Sequence, residues 1–214
     1  DLTNMKIVSV ITARGGSKGI PKKNLIDLKG SPLLSYTINA SKNSKVNETW
    51  VSTDCKEISA CAESYGASTL IRPSHLANDI IMPDASLLHF AENIDFDLLV
   101  FIQPTSPLLE SRYIDQGINM MKNYDSVFSA YQEHWYPKWT ENNLPFNFTM
   151  AERPRRQDKK PLYVENGAFY ITTKQNLLRS KLRYSGNIGI VKMPYSKSFQ
   201  VDNLEDLEII KRLL

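Results

Sequence analysis

Lys6-Ile-Val-Ser-Val-Ile-Thr12 runs without a break into Ala13-Arg-Gly-Gly-Ser-Lys-Gly-Ile-Pro-Lys-Lys-Asn24. The first stretch is short, apolar and rich in β-branched residues, the mark of a strand buried on both faces. The second interleaves Arg14, Lys18, Lys22 and Lys23 with Gly15, Gly16 and Gly19. Glycines let the backbone approach an anion and turn successive N–H groups toward it, and the cations neutralise its charge. An isolated run of this kind would be a solvated basic turn. Delivered by a buried strand, it reads as a cradle for a polyphosphate. It is not a Walker A loop, because Gly19 is followed by Ile20-Pro21 where that loop requires Lys and then Ser or Thr. The G-x-G-x-x-G dinucleotide fingerprint is absent too, so kinase and dehydrogenase readings lose their markers.

Outward from this segment, the spacing predicts a helix over Pro32 to Lys42, a strand over Glu48 to Thr53 and a helix over Lys56 to Tyr65 ended by Gly66. A short strand over Ser68 to Ile71, a helix over Asp84 to Glu92 and a buried strand over Leu98 to Ile102 follow. Strands alternating with helices predict an α/β domain with a parallel sheet covered on both faces. Polar clusters fall after strands, at Ala13 to Asn24, Thr53-Asp54 and Gln103-Pro-Thr-Ser-Pro107. Right-handed crossovers bring such loops to one sheet edge, where ligands bind. An aspartate at position 54 would equally serve as a plain helix cap.

The pattern breaks over residues 131–162, a stretch dense in charge and interrupted by Pro137, Pro145, Pro154 and Pro161. Its Trp135, Tyr136, Trp139, Phe146 and Phe148 are too apolar for a solvated linker, which predicts an excursion packed against something, such as a second subunit. Core elements resume over Gly167 to Thr172 and Asn187 to Met193, and a helix over Asn203 to Leu214 closes the chain. The expected organisation is one domain over residues 5–214 with 131–162 inserted in it; Asp1 to Asn4 carry no part of the argument.

Composition excludes several classes. The 214 residues are 42% apolar and 23% charged with net charge +3, ordinary globular usage. No apolar run approaches the roughly 20 residues of a membrane span, and no secretion signal is evident, so a cytoplasmic location without a membrane partner is expected. The cations gather in one phosphate-sized loop instead of a broad stripe, which argues against nucleic acid. Cys55 and Cys61 are expected on one helix, facing different ways, as buried free thiols. His75, His89 and His134 form no ligand-spaced set.

The Ala13 to Asn24 loop resembles the N-terminal signature of the acylneuraminate cytidylyltransferases (CMP-sialic acid synthetases). Val51-Ser-Thr-Asp54, Arg72-Pro73 with Leu76-Ala-Asn-Asp79, Gln103-Pro-Thr-Ser-Pro107 and Asn166-Gly-Ala-Phe-Tyr-Ile171 match further motifs of that family, in its order. The resemblance implies a Rossmann-like, mainly parallel α/β fold of the nucleotide-diphospho-sugar transferase type, with helices on both faces and a dimerisation excursion reaching the neighbouring subunit's site. It implies that the anomeric hydroxyl of a nine-carbon acidic sugar attacks the α-phosphorus of CTP, with magnesium as cofactor, in a homodimer serving surface-glycan synthesis. CMP-Kdo synthesis or another nucleotidyl transfer is the nearest alternative, and a catalytically inactive nucleotide-binding homologue is the alternative of another class.

Carried over by position, Arg14, Lys18 and Lys23 hold the triphosphate and, with Asp202, form the catalytic set. Thr12, Ala13, Gly15, Ser17 and Asn24 complete the nucleotide site. Gln103, Lys138, Arg156, Asn166 and Tyr170 face the sugar. Tyr163, Phe169 and Tyr170 serve either an acyl group or ordinary packing. The family's paired aspartates before the last helix map onto Gln200 and Asp202, so Asp202 is the expected metal ligand and Gln200 a poorer one. Asp202-Asn-Leu-Glu205 also reads as a capping box for the last helix, which alone would explain the aspartate.

Overall fold

The computed structural model describes residues 1–78 and 80–214; Asp79, the last residue of the Arg72 to Asp79 motif, lies outside the described residues. In chain order the elements are β1 (Ile7–Thr12), β2 (Asp27–Leu28), β3 (Ser31–Pro32), α1 (Leu33–Lys42), β4 (Glu48–Thr53), α2 (Lys56–Ser64) and β5 (Ser68–Ile71). Next come α3 (Pro83–Asn93), β6 (Leu98–Ile102), α4 (Ser111–Met120), β7 (Ser126–Gln132), β8 (Tyr163–Thr173), α5 (Lys174–Ser180), β9 (Ile188–Lys192) and α6 (Leu204–Leu213). No helix among the described residues is long and apolar enough to cross a membrane.

Seven strands form one sheet in the order β5-β4-β1-β6-β8-β7-β9, and β2 pairs with β3 in a small hairpin. β1, β4, β5 and β6 are parallel; β8 runs antiparallel to both β6 and β7, and β9 is parallel to β7. The apolar runs that predicted β1 and β6 have a direct cause in this arrangement. Both strands lie inside the sheet with helices on each face, so alternate residues serve two cores. Ile7, Ile11, Val100 and Ile102 join the core that also holds Leu34 and Ile38 of α1, Ile58 of α2 and Ile114 of α4. Val8, Val10, Leu99 and Phe101 join the opposite core with Leu87 and Phe90 of α3 and Leu177 of α5.

The chain leaves β1 for β4 and β5 on one side, then crosses to place β6 on the other. β1 and β6 are therefore neighbours whose following loops diverge, the topological switch point at which α/β sheets bind ligands. A third apolar group closes this end: Ile20 of the glycine loop packs with Leu28, Leu33, Leu108, Val201, Leu207 and Ile210.

The structure adds the β2–β3 hairpin, α4, α5 and β7 to the elements the sequence predicts. α4 escaped because Gly117 interrupts its apolar face. The reason for that glycine is proximity: a Cβ there would stand 2.7 Å from Ile171 Cδ1 and 2.9 Å from Phe169 Cε2 of β8. Gly117→Val is expected to overpack this contact and cost about 1–3 kcal/mol of stability, read by urea unfolding; an unchanged midpoint would contradict the packing.

β7 continues through Tyr131 and Gln132, which pair with Val164 and Tyr163 of β8, so the excursion starts two residues later than the sequence breakpoint. Cys55 and Cys61 are free but half-buried, not buried, and Cys55 is the N-cap of α2.

Candidate active site between the loops that follow β1 and β6

The glycine loop is shaped by bonds from its neighbours. Ala13 N–H donates to Ser52 O at the end of β4 (2.9 Å). Gly15 N–H donates to Asp54 Oδ1 (2.8 Å). Asp54 therefore holds the loop and does not cap α2, whose N-cap is Cys55 without a side-chain bond. Asn24 Nδ2 closes the loop onto Arg14 O (3.0 Å), and Ser17 Oγ donates to Ile20 O inside it. Lys22, in the left-handed region at φ 51°, turns its ammonium outward to Glu57 (3.1 Å). The turn sends the next residue, Lys23, inward.

What the loop encloses is a cavity of about 330 Å³, lined by Thr12, Arg14, Lys23, Asn24, Arg72, Leu76, Ala77, Asn78, Ile81, Pro83, Ser86, Phe101, Gln103, Pro104 and Thr105. Five of the residues predicted from the sequence meet there: Thr12, Arg14, Lys23, Asn24 and Gln103. Gln103 reaches it from the end of β6, its N–H fixed to Ala168 O (3.1 Å). Ala13 is buried beneath the loop, Gly15 and Ser17 shape its backbone, and Lys18 is exposed and not among the residues lining the cavity.

Arg72 joins this set, though sequence reasoning gave it no role. It is 6% exposed. Its N–H follows β5 onto Thr53 O (2.9 Å), and Nη1 donates to Ser86 Oγ of α3 (2.6 Å). Its Nε is buried without a partner among the described residues. Burial pushes its pKa down; Asp54 opposes this, and the positive charge of Arg14 adds to it. A buried guanidinium beside a second cation is unfavourable until an anion arrives. The Asn24 Oδ1 atom is likewise buried and has no partner among the described residues. The cavity thus offers donors, positive charge and one vacant acceptor, which suits a phosphorylated ligand with polar ring atoms. The signal available in the sequence was Arg72-Pro73 directly after a strand.

The remaining predicted residues fall elsewhere in this single chain. Asn166 is buried, and its amide is committed: Oδ1 accepts from Ser129 Oγ (2.6 Å) and Ala168 N–H (3.1 Å), while Nδ2 donates to Ser198 Oγ (3.0 Å). With Gly167 at φ +69° it sits where the β7–β8 register shifts between Phe128 and Ala130. Tyr170 is buried against Phe101, Phe128 and Tyr184, and its hydroxyl donates to Glu165 (2.9 Å). Burial, before that bond, raises its pKa. Phe169 is core, and Tyr163 stacks under Lys192. Lys138 pairs with Glu133 (2.9 Å), and Arg156 lines a separate hollow with His134 and Trp135, both within the excursion.

Asp202 borders the loop from the far side. Its carbonyl presses on Gly19, where a Cβ would stand 2.5 Å from it. The neighbouring Val201 is fully buried and donates its N–H to Thr105 O (2.9 Å). The expected capping box is displaced by one residue: Asn203 is the N-cap of α6, accepting from Asp206 N–H, and Asp206 Oδ2 accepts from Asn203 N–H. The carboxylate of Asp202 is exposed and is not the cap. Gln200 packs over Gly167 and donates from Nε2 to Ser106 Oγ at 3.5 Å.

Residues 8–213 match a family model described as cytidylyltransferase. An N-acylneuraminate cytidylyltransferase A of Danio rerio is 35% identical over 207 residues, 92% of this chain and 48% of that protein. A pseudaminic acid cytidylyltransferase of Campylobacter jejuni is 31% identical over 223 residues, 98% of this chain and 96% of that one. The chain thus spans about half the length of the first relative and nearly all of the second. Among solved structures, a CMP:2-keto-3-deoxy-manno-octonic acid synthetase complexed with CTP superposes with a TM-score of 0.75 at 19% identity, over 97% of this chain and 98% of that chain. That likeness concerns the fold. With the family model covering nearly its whole length, this chain belongs to the cytidylyltransferase family.

Proposed function

We propose that the chain activates a nonulosonic (sialic-type) acid with CTP, giving the CMP-sugar and pyrophosphate. The observation that carries this reading is the convergence of Arg14, Lys23, Asn24 and buried Arg72 with Gln103 in one cavity at the sheet's switch point. Relatives named for N-acylneuraminate and pseudaminic acid support the acceptor class. In the reaction, the anomeric hydroxyl oxygen bonds to the α-phosphorus of CTP, the bond from that phosphorus to the β-phosphate oxygen breaks, and the hydroxyl proton is lost. Such transfer is governed by positioning and charge neutralisation. Arg14, Lys18, Lys23 and Arg72 are assigned to the triphosphate, and Asn24 to the nucleoside end. Gln103 is assigned to the acceptor.

Magnesium is the cofactor this reading carries. No cluster of three or more His, Cys, Asp or Glu side chains among the described residues could hold a metal ion by itself. Magnesium is commonly held by one or two carboxylates together with substrate phosphates. Among the described residues, the exposed carboxylate of Asp202, whose backbone carbonyl lies against Gly19, fits an ion that arrives with the triphosphate. Asp202 would hold it, and when bound it would neutralise charge on the departing pyrophosphate. Gln200 is not required as a ligand.

A homodimer is part of the proposal. Tyr136, Trp139, Phe146 and Met150 of the excursion are 61, 52, 73 and 72% exposed in one chain, an apolar surface that a second copy would cover. Lys138 and Arg156 would then serve the neighbouring subunit's cavity. Phe146→Asp is expected to turn a dimer into a monomer by light scattering and to lower turnover. A wild-type monomer would remove this part of the reading.

The function itself is tested by pyrophosphate release from CTP and magnesium with a panel of N-acetylneuraminic, legionaminic and pseudaminic acids and Kdo. Release with a nonulosonic acid supports the reading. Release with Kdo alone overturns the acceptor class, and CTP binding without release with any acceptor marks an inactive homologue.

A further inference from the structure

We infer that Arg183 is a positioning residue for the nucleotide cavity, acting through Asp84 and the first turns of α3 on Ser86 and Arg72. The inference rests on the reading of that cavity as the CTP site. Arg183 and Asp84 are 99 residues apart, yet they are joined by three bonds: Arg183 N–H to Oδ1 (2.8 Å), Nε to Oδ1 (3.2 Å) and Nη2 to Oδ2 (2.8 Å). The two side chains are 16% and 10% exposed. A two-pronged, largely buried pair of this kind fixes orientation as well as distance.

What it fixes is the start of α3. That helix has no side-chain cap, since its N-cap is Met82, so its first turn depends on a tertiary anchor. Asp84 is the anchor point. Its neighbours in the same turns, Pro83 and Ser86, line the cavity, and Ser86 Oγ is the acceptor that holds Arg72 Nη1 at 2.6 Å. The Arg183 guanidinium also lies over the Phe101 ring, 5.7 Å from its centroid, and Phe101 is another wall of the cavity. One side chain outside the cavity therefore braces two of its walls. If the brace is lost, α3 can shift and Arg72 loses its aim, so the effect should fall on the nucleotide and spare the acceptor.

The test uses the full chain as Arg183→Lys, Arg183→Met, Ser86→Ala and the double variant Arg183→Lys with Ser86→Ala. The CTP dissociation constant is measured by calorimetry beside acceptor KM, kcat and melting temperature. Arg183→Met is expected to weaken CTP binding about tenfold or more, with acceptor KM within about twofold of wild type. Arg183→Lys keeps the charge without the fork and is expected to lose less. The double variant is expected to fall near the worse single variant, because both changes act along one route. If CTP affinity stays within about twofold of wild type while melting temperature falls, Arg183 is merely structural and the inference is overturned; additive effects overturn the route. Should Arg183→Met not fold, Arg183→Lys and the double variant decide. A wild-type chain that does not bind CTP is a separate result, which removes the nucleotide reading and this inference with it.

Discussion

Arg72→Met is expected to lower kcat/KM for CTP by about 100-fold or more, without lowering the melting temperature. The two halves of that result have one cause. Arg72 is almost wholly buried and, among the described residues, holds one side-chain bond to Ser86 and leaves Nε unpartnered. Burial sets the cost of its charge, Asp54 offsets part of it, and Arg14 adds to it. In the absence of ligand the guanidinium is a burden on the fold, because a buried charge with incomplete partners is unfavourable and an apolar side chain of similar length is not. With an anion present, the same charge acts at short range in a site shielded from water. Steady-state kinetics and thermal unfolding on one preparation check both halves. A variant that unfolds earlier and binds CTP normally would make Arg72 a structural residue and empty the electrostatic argument.

Asp202→Asn is the second change of large expected effect. It should reduce kcat by about 100-fold at saturating CTP and raise the magnesium concentration needed, with stability unchanged. Asn203→Ala should do the reverse, costing about 1 kcal/mol of stability and leaving kcat within a few-fold. The contrast follows from the observed cap, in which Asn203 and Asp206 exchange bonds and the Asp202 carboxylate takes no part. Full activity of Asp202→Asn across a magnesium titration would end its assignment as the metal carboxylate. Chemical denaturation of both variants checks the stability half.

The site's framework was legible in the sequence where a local pattern carried it. β4, β5 and β6 stand at their expected residues, and β1 begins one residue late, because β-branched runs and a glycine end-point are local signals. The glycine loop was legible because one short segment holds both the shape and the charge. The rest depended on contacts between distant residues. Asp54 looked like a helix cap until its bond to Gly15 N–H brought it under the loop. Arg72 acquires its meaning from Ser86, and Arg183 from Asp84, neither of which a linear pattern can pair. The capping box slipped by one residue because Asp202 to Glu205 and Asn203 to Asp206 both satisfy the spacing. Tertiary bonds chose the second: Val201 is tied to Thr105, and the Asp202 carbonyl is pressed on Gly19. Asn166 matched a motif, but its amide serves the bulge beside Ser129.

The excursion shows the same limit from another side. Its aromatic density predicted burial, and in the single chain Phe146 and Tyr136 stand exposed. The apolar signal was legible. What would cover that surface is not encoded in any local pattern.

The central claim is that the cavity between the loops after β1 and β6 holds CTP through Arg14 and Arg72. The most direct measurement is calorimetric titration of CTP with magnesium into the wild-type chain and into Arg14→Met and Arg72→Met. The account predicts one CTP per chain for wild type and affinity reduced at least about tenfold in each variant. Equal affinity in all three chains, or no binding to the wild type, would contradict it.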